Sequence, residues 1–223
     1  MSFGSFFLFM MAGLLTNAQN PYKHFTESVA IRYNRKQPVI NYTITIDTSN
    51  LSVIQMEMRV RNVADSFRIA MFVHPEYDDR FYRFVEDLRI EGGTIQRLEN
   101  TLWRVHANAS EIIIRYKIHL PQERKPRPAW RPFLASTGGL IGGPQSYFYV
   151  VGASLAPAYV HLQIPRTWQI ATGLQSTIDP LTFFASTASV LFDSPILVGQ
   201  IKAWSFKANG VPHKSIYWSA DYS

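Results

Sequence analysis

Histidines are the side chains of this sequence best suited to bind a metal ion or to transfer a proton near neutral pH. No two of them form the H-E-x-x-H pattern, so the zinc-binding helix of many metalloproteases is absent. Cysteine is absent as well, which excludes disulfides, thiolate nucleophiles and cysteine-based zinc sites. The sequence therefore predicts that this chain binds no zinc and carries no other cofactor. The six histidines are His24, His74, His106, His119, His161 and His213.

Two adjacent pairs of carboxylates, Asp78-Asp79 and Glu86-Asp87, are the other candidates for chemistry, since paired carboxylates can act as general acid and base. Neighbouring side chains usually diverge, so a solvated acidic face is the favoured interpretation. The glycine-rich residues 138–143 lack the Lys-Ser/Thr pair of a phosphate loop. Neither a G-x-S-x-G elbow nor a dinucleotide fingerprint occurs. We therefore predict no catalytic residue in this chain.

Basic residues with interleaved aromatics form a further cluster between residues 115 and 133. Such a cluster can bind single-stranded nucleic acid, bind an acidic partner domain, or be part of a solvated loop that has no binding role. The formal net charge of +6 and the pI near 9.6 are compatible with all three. We favour a protein partner and predict no nucleic acid. The cluster contains Arg115, Lys117, Arg124, Lys125, Arg127, Trp130, Arg131 and Phe133.

The N-terminus has the pattern of a targeting signal. Residues 6–15, FFLFMMAGLL, are too short an apolar run to span a bilayer and have the length of a signal-peptide core. Small residues precede a cleavage point after Ala18, although residues 1–7 lack a positive charge. We predict a signal peptide at 1–18, a polar arm at 19–37, and an exported protein, periplasmic or secreted, without a stable membrane span.

Apolar and polar residues alternate with a period of two along most of the chain, which predicts strands. The alternation is clearest at 39–47, where Ile40, Tyr42 and Ile44 are separated by polar residues. It continues at 51–63, so the two segments are expected to form an antiparallel hairpin with one wet face. Further strands are predicted at 67–73, 94–98, 102–107, 111–120, 147–151, 159–164, 182–184, 196–198 and 201–206.

Two segments depart from this alternation. Residues 80–88 have helical spacing, because Phe81, Phe84, Val85 and Leu88 follow one another at i, i+3, i+4 and i+7. Residues 121–143 contain four prolines and four glycines, which predicts one long loop without regular structure. The expected fold class is all-β, with mainly antiparallel, sandwich-like sheets and one or two short helices.

The loop at 121–143 carries five large apolar residues, more than a solvated loop needs: Trp130, Phe133, Leu134, Leu140 and Ile141. We predict that part of it joins the turn at Pro75–Tyr77 in an exposed apolar patch with a basic rim, which would dock an acidic partner. In the alternative, the apolar residues fold back and complete the domain's own core. The candidate interface residues are Pro75, Tyr77, Arg124, Lys125, Arg127, Trp130, Arg131 and Phe133.

Several stretches of the sequence occur in the same order as in one known domain. They are the strand at 41–46, Pro75-Glu76-Tyr77, NTLWRV at 100–105, residues 142–152, PRTWQIATGL at 165–174 and LFDSPILVG at 191–199. Over residues 41–213 the chain thereby resembles the N-terminal domain of the glycyl aminopeptidase family, the sixty-first family of metallopeptidases. Where the family has Pro-Gly-x-Tyr, this sequence has Pro75-Glu76-Tyr77, so that Glu76 replaces the glycine of the motif.

The resemblance implies a β-structured domain that precedes a thermolysin-like zinc domain, in a family that removes N-terminal glycine or alanine. The family's zinc motif lies in that catalytic domain, so no catalytic or metal-binding residue can be assigned here, and zinc is expected only there. We interpret residues 38–213 as the β domain and residues 214–223 as the start of a linker.

Three hypotheses about function follow. The first is a non-catalytic N-terminal domain of an exported glycyl-aminopeptidase-like metallopeptidase, which packs against the zinc domain in cis and helps to shape its peptide-binding cleft. The second is a stand-alone exported β-sandwich that binds a protein or a glycan. The third, a hydrolase built on the acidic cluster, is the least favoured. An in-frame H-E-x-x-H beyond Ser223 in the gene would support the first.

Overall fold

A computed structural model of the protein describes residues 37–73, 80–120 and 131–218. These residues form seventeen strands, two short α-helices and a 3-10 turn at Phe81–Phe84, which confirms the predicted fold class. The helices are α1 (Gly143–Ser146) and α2 (Ala188–Phe192). The strands are β1 (Val39–Thr45), β2 (Val53–Arg61), β3 (Ser66–Met71), β4 (Val85–Glu91), β5 (Gly93–Glu99), β6 (Leu102–Ala107), β7 (Glu111–His119), β8 (Phe133–Ala135), β9 (Gly138–Ile141), β10 (Phe148–Val150), β11 (Ala158–Gln163), β12 (Gln169–Thr172), β13 (Gln175–Ser176), β14 (Thr182–Ala185), β15 (Ile196–Gly199), β16 (Lys202–Ala208) and β17 (Val211–Tyr217).

Seven strands form a large sheet in the order β13-β14-β11-β1-β2-β7-β4. The predicted antiparallel hairpin of β1 and β2 is confirmed, with Tyr42 opposite Met58. Strand β11 lies parallel to β1 on its other side, with Ile44 opposite Leu162. All other neighbours in this sheet that the structure describes are antiparallel.

The period-two pattern of the sequence corresponds to the two faces of the large sheet. In β1, Ile40, Tyr42 and Ile44 are buried, whereas the residues between them are only half-buried. The same alternation runs along β2, β7 and β11. One face of the sheet therefore belongs to the core, and the opposite, polar face is the outer face.

Two four-stranded sheets complete the core. One has the order β10-β3-β6-β5 and the other β12-β15-β9-β8. Phe148 of β10 joins the first of them to the large sheet, because its ring makes edge-on contacts with Trp103 of β6 and Tyr116 of β7 at centroid distances of 4.9 and 4.7 Å. The Tyr42 hydroxyl donates to the Phe148 carbonyl oxygen over 2.6 Å. Aromatic residues thus hold the two layers together.

The helix predicted at 80–88 is wrong. Its first half is the 3-10 turn, and its second half is β4, an edge strand of the large sheet that pairs with β7. A β-bulge between Glu86 and Arg89, with Asp87 at φ 51°, inserts an extra residue into β4. Val85 and Ile90 therefore lie opposite Ile118 and Ile114, on the same face, despite their odd spacing.

The prediction of one irregular loop at 121–143 is wrong for its second half. That half contains β8, β9 and the start of α1, and residues 121–130 lie outside the described residues. Glycine permits this packing rather than preventing it, since a Cβ on Gly139 would lie 2.5 Å from the Phe133 carbonyl oxygen.

The structure describes little of the predicted N-terminal segments and part of the predicted linker. The predicted signal peptide and nearly all of the N-terminal arm lie outside the described residues. The predicted start of the linker at residue 214 falls inside β17. No helix among residues 37–73, 80–120 and 131–218 is long and apolar enough to cross a membrane.

Candidate functional site

The structure describes two of the eight candidate interface residues, Arg131 and Phe133, and both are half-buried. The interface therefore stays a prediction. The other six, which lie outside the described residues, are Pro75, Tyr77, Arg124, Lys125, Arg127 and Trp130.

Phe133 forms the edge of a small aromatic contact. Its ring centroid lies 5.2 Å from that of Trp218, and the Trp218 Nε1 donates to Thr137 Oγ1 over 3.3 Å. A Cβ on Gly138 would collide with the Trp218 ring and lie 2.6 Å from the Val198 carbonyl oxygen. The β8–β9 turn thus forms a seat for Trp218, immediately after the last strand.

The remaining apolar residues of the predicted patch do not behave alike. Leu134 and Ile141 are only 6% and 1% exposed and belong to the core, whereas Leu140 is half-buried. Leu134 and Ile141 therefore complete the domain's own core, as the alternative predicted, and the part of the loop that would form the docking patch stays a prediction.

The acidic candidates that the structure describes are engaged by basic partners. Asp87 accepts from Lys117 Nζ over 2.6 Å, and Glu86 lies 3.6 Å from His119 Nδ1. The hydrogen bond from Lys117, followed by its charge, holds the pKa of Asp87 below its usual value. This arrangement favours the solvated acidic face over a general acid–base couple, whose acid needs a raised pKa. Asp78 and Asp79 lie outside the described residues.

The outer face of the large sheet carries a network of ion pairs around a shallow depression of about 510 Å³. Glu57 accepts from the Nε atoms of Arg59 and Arg115, over 2.6 and 2.7 Å. Arg115 also donates to Glu91, and these hydrogen bonds raise its pKa. Basic residues thus lie next to acidic residues of the neighbouring strands, although exposed ion pairs of this kind contribute little stability.

This network also bears on whether the basic cluster could bind nucleic acid. Arg115 and Lys117, two members of the basic cluster, are neutralised by Glu57, Glu91 and Asp87 on adjacent strands. Nucleic-acid binding depends on cations that are free to replace counterions on phosphates. On the described part of the chain, the observations therefore favour an interpretation of these two residues as partners in ion pairs between neighbouring strands.

The histidines that the structure describes are scattered. His161 Nδ1 lies 2.8 Å from Thr182 Oγ1 and 3.4 Å from Asp179 Oδ2, which ties β11 to the turn before β14. No group of three or more His, Asp or Glu side chains placed to hold a metal occurs in residues 37–73, 80–120 and 131–218. That the chain binds no zinc remains a prediction for metal analysis.

Three buried tyrosines have the most altered ionisation in the described structure. Burial raises the pKa of Tyr42, Tyr116 and Tyr147 well above the usual value. Two of the hydroxyls donate to the backbone of the α1–β10 segment: Tyr42 to Phe148, and Tyr116 to the Ser146 carbonyl oxygen over 2.8 Å. All three are un-ionised at neutral pH, and the hydroxyls of Tyr42 and Tyr116 cross-link the layers.

Sequence reasoning missed the surface formed by β16 and β17, which form a two-stranded sheet of their own and have no other strand neighbour among the described residues. Its turn is Asn209-Gly210, with φ values of 49° and 81°, and Trp204 and Phe206 are 52% and 47% exposed. Asn-Gly between alternating apolar residues is a strong hairpin signal, and it is present in the sequence. The prediction of a linker from residue 214 obscured it.

Comparison with known proteins relates this architecture to a family. Residues 41–200 match the family model of the peptidase M61 N-terminal domain. Among solved structures, an aminopeptidase N family protein from Idiomarina loihiensis has a TM-score of 0.71 and 19% sequence identity, over 83% of this chain and 33% of that one. An M1 zinc metallopeptidase from Deinococcus radiodurans has a TM-score of 0.42 and 10% identity, over 83% of this chain and 49% of that one. A search of curated proteins found no significant match.

At 19% identity the similarity to the Idiomarina protein establishes the fold alone, and the chain spans about a third of that protein's length. The family match is more specific, because it covers well over half of the chain. It also confirms the resemblance read from the sequence motifs. The chain belongs to the peptidase M61 N-terminal domain family.

Proposed function

We propose that this chain is the non-catalytic N-terminal domain of an exported, glycyl-aminopeptidase-like metallopeptidase, and that it packs against a zinc catalytic domain in cis. The observation that carries the proposal is the family match over residues 41–200, to the N-terminal domain of a peptidase family. The fold supports it, since the similar Idiomarina protein is about three times longer than the part this chain matches.

The chemistry of the described residues supports a structural rather than a catalytic role. Asp87 and Glu57 are committed to ion pairs, and Tyr42 and Tyr116 donate to backbone carbonyl oxygens. The described residues do not form a site that fits zinc. The metal would belong to the catalytic domain, and this chain's part would be to offer that domain a rigid wall for its peptide cleft.

Export is proposed on the basis of the apolar run at residues 6–15 and the small residues before Ala18. Cleavage there would release a chain beginning at Gln19. N-terminal sequencing of the protein recovered from the producing cells tests this part separately.

The test of function uses the purified 223-residue chain beside the whole protein that its gene encodes. We expect the chain alone to release no glycine or alanine from glycyl or alanyl p-nitroanilide, with or without added zinc, and elemental analysis to find no stoichiometric zinc. We expect the whole protein to release the amino acid and to contain stoichiometric zinc. Tight one-to-one zinc in the short chain would contradict the proposal. A stop codon directly after Ser223 would favour a stand-alone module that binds a protein or a glycan.

A further inference from the structure

The hairpin of β16 and β17 is left without a packing partner by the described structure. Every residue of β16 is exposed, and β17 is exposed except at Ser215 and Ile216. An isolated two-stranded hairpin is at best marginally stable in water, because it buries too little apolar surface. This hairpin therefore needs a surface to cover it.

The two faces of the hairpin differ in character. The register places Trp204 opposite Ser215 and Phe206 opposite His213, on the same face as Val211 and Tyr217. The ring centroids of Trp204 and Tyr217 are 5.3 Å apart, and Phe206 stacks on His213 at the same distance. Lys202 and Ala208 also lie on this face. The opposite face carries two lysines and mostly small residues besides Ile216, namely Ala203, Ser205, Lys207, Pro212, Lys214 and Ile216. One face is therefore a continuous aromatic surface.

We propose that this aromatic face docks onto the peptidase body that follows the domain in the same polypeptide. The inference rests on the proposed function and adds to it the surface that makes the contact. The family match ends at residue 200, and β16 begins at Lys202, so the hairpin lies where the chain leaves the family's domain. In the similar Idiomarina protein, about two thirds of the chain lies outside the matched part.

The C-terminal end of the hairpin is held in place by contacts with the main domain. Trp218, the residue after β17, is held by Thr137 and packs against Phe133. Gly138 leaves room for its ring. The C-terminal end of the hairpin is thus held next to Phe133, one of the two described residues of the predicted interface.

Area and charge disfavour a second copy of the chain as the occupant. The exposed parts of Trp204, Phe206, Val211 and Tyr217 amount to roughly 400 Å², on the scale where an aromatic side chain buries 150–250 Å². A stable interface between separate molecules buries about 800 Å² on each partner. A covalent link raises the effective concentration, so a smaller area suffices within one polypeptide.

Residues 200–218 carry three lysines and no Asp or Glu. Lys202 lies on the aromatic face, opposite Tyr217, whereas Lys207 and Lys214 lie on the other face. Two copies that met through their aromatic faces would bring the two Lys202 side chains together, whereas a surface with an acidic rim would complement them. The peptidase body is therefore expected to present an apolar patch bordered by carboxylates.

Hydrogen–deuterium exchange of the 223-residue chain and of the whole encoded protein tests the inference. We expect the amides of β16 and β17 to exchange rapidly in the short chain and to be protected by roughly 100-fold or more in the whole protein. The double variant Trp204→Ser/Phe206→Ser should abolish that protection. The matched control, Tyr159→Ser/Ile178→Ser, removes two exposed apolar residues from the main domain and should leave it unchanged.

The outcomes separate the inference from the proposed function. Protection that appears elsewhere on the domain, but not on the hairpin, overturns the docking surface and leaves the packing intact. A gene that encodes no peptidase body, or a domain that gains no protection anywhere, overturns both. Sedimentation and vesicle binding of the short chain cover other occupants. A dimer, or binding to phosphatidylglycerol vesicles, that is lost in the Trp204→Ser/Phe206→Ser variant would assign the face to a second copy or to a membrane and overturn the proposal.

Discussion

Replacing Phe148 by alanine should weaken the contact between the two layers of the core and so destabilise the domain. The ring is fully buried and touches Trp103 and Tyr116 edge-on, one on each side of the layer boundary. Loss of a buried phenylalanine costs about 3–5 kcal/mol of unfolding free energy. Each aromatic pair adds about 0.5–1.5 kcal/mol beyond area, so we expect the upper part of that range, about 4–5 kcal/mol. For a domain of this size this corresponds to a fall in Tm of roughly 8–20 °C.

Urea denaturation followed by far-ultraviolet circular dichroism measures this cost directly. The matched control is Tyr159→Ala, which also removes one ring of an aromatic pair, with Phe184 at 5.3 Å, but from an exposed position on the outer face. We expect the control to lose less than about 1 kcal/mol. A loss below about 2 kcal/mol for Phe148→Ala, or equal losses for both variants, would refute the assignment of Phe148 as the junction between layers.

Further predictions concern the Trp218 seat, acid stability and the isolated chain. Gly138→Ala should expel the Trp218 ring from its seat, so its fluorescence should shift to the red and β17 should exchange faster; an unchanged spectrum would contradict the packing. The carboxyl pKa values of Asp47, Asp87 and Asp179 are lowered in the folded state, chiefly by hydrogen bonds from Ser49, Lys117 and Thr182. Their stabilisation is complete above the unfolded value of about 3.9 and is lost as pH falls through the folded values. Urea midpoints should therefore decline below about pH 4, less steeply in Asp87→Asn; midpoints that rise on acidification would contradict the shifts. The absence of peptidase activity and zinc in the isolated chain, described above, is the fourth prediction.

The large sheet was predictable because each of its central strands exposes a different chemistry on each face. Ile40, Tyr42 and Ile44 alternate with Asn41 and Thr43, and no other regular structure places such residues on opposite sides. The pairing of β1 with β2 followed from the short turn between them. The parallel partner β11 could not be inferred, since nothing local in β1 records which distant strand lies beside it.

The misassigned helix shows how a bulge imitates another periodicity. An extra residue between Glu86 and Arg89 turns the expected even spacing of buried positions into an odd one, and Val85 and Ile90 still reach the same face. Pattern analysis has no access to the partner strand β7, whose regular register imposes this geometry. Edge strands with bulges are therefore the elements that a period-two analysis misses first.

Glycine-rich segments caused the opposite error. Gly138 and Gly139 break local patterns, yet in β9 they allow the backbone of β8 and the Trp218 ring to approach closely. For the 121–143 loop the sequence offered only a composition of basic and apolar residues, and the interface inferred from it stays a prediction. Which of those residues would be buried depended on long-range pairing, as Leu134 and Ile141 show.

The parallel contact between β1 and β11 also makes the large sheet depend on strands that are far apart in the chain. Thr45 and Gln163 face each other across that contact although they are 118 positions apart in the chain. Until β11 has been synthesised, the strands of the large sheet available to it are β1, β2, β4 and β7, and β1 has one unpaired edge. Contacts of such long range slow folding, because a large loop must close before any pairing energy is gained. The complete large sheet therefore requires the chain as far as β14, which ends at Ala185. A fragment ending before Ala158 would expose β1, which is a central strand of the complete sheet, as an open edge.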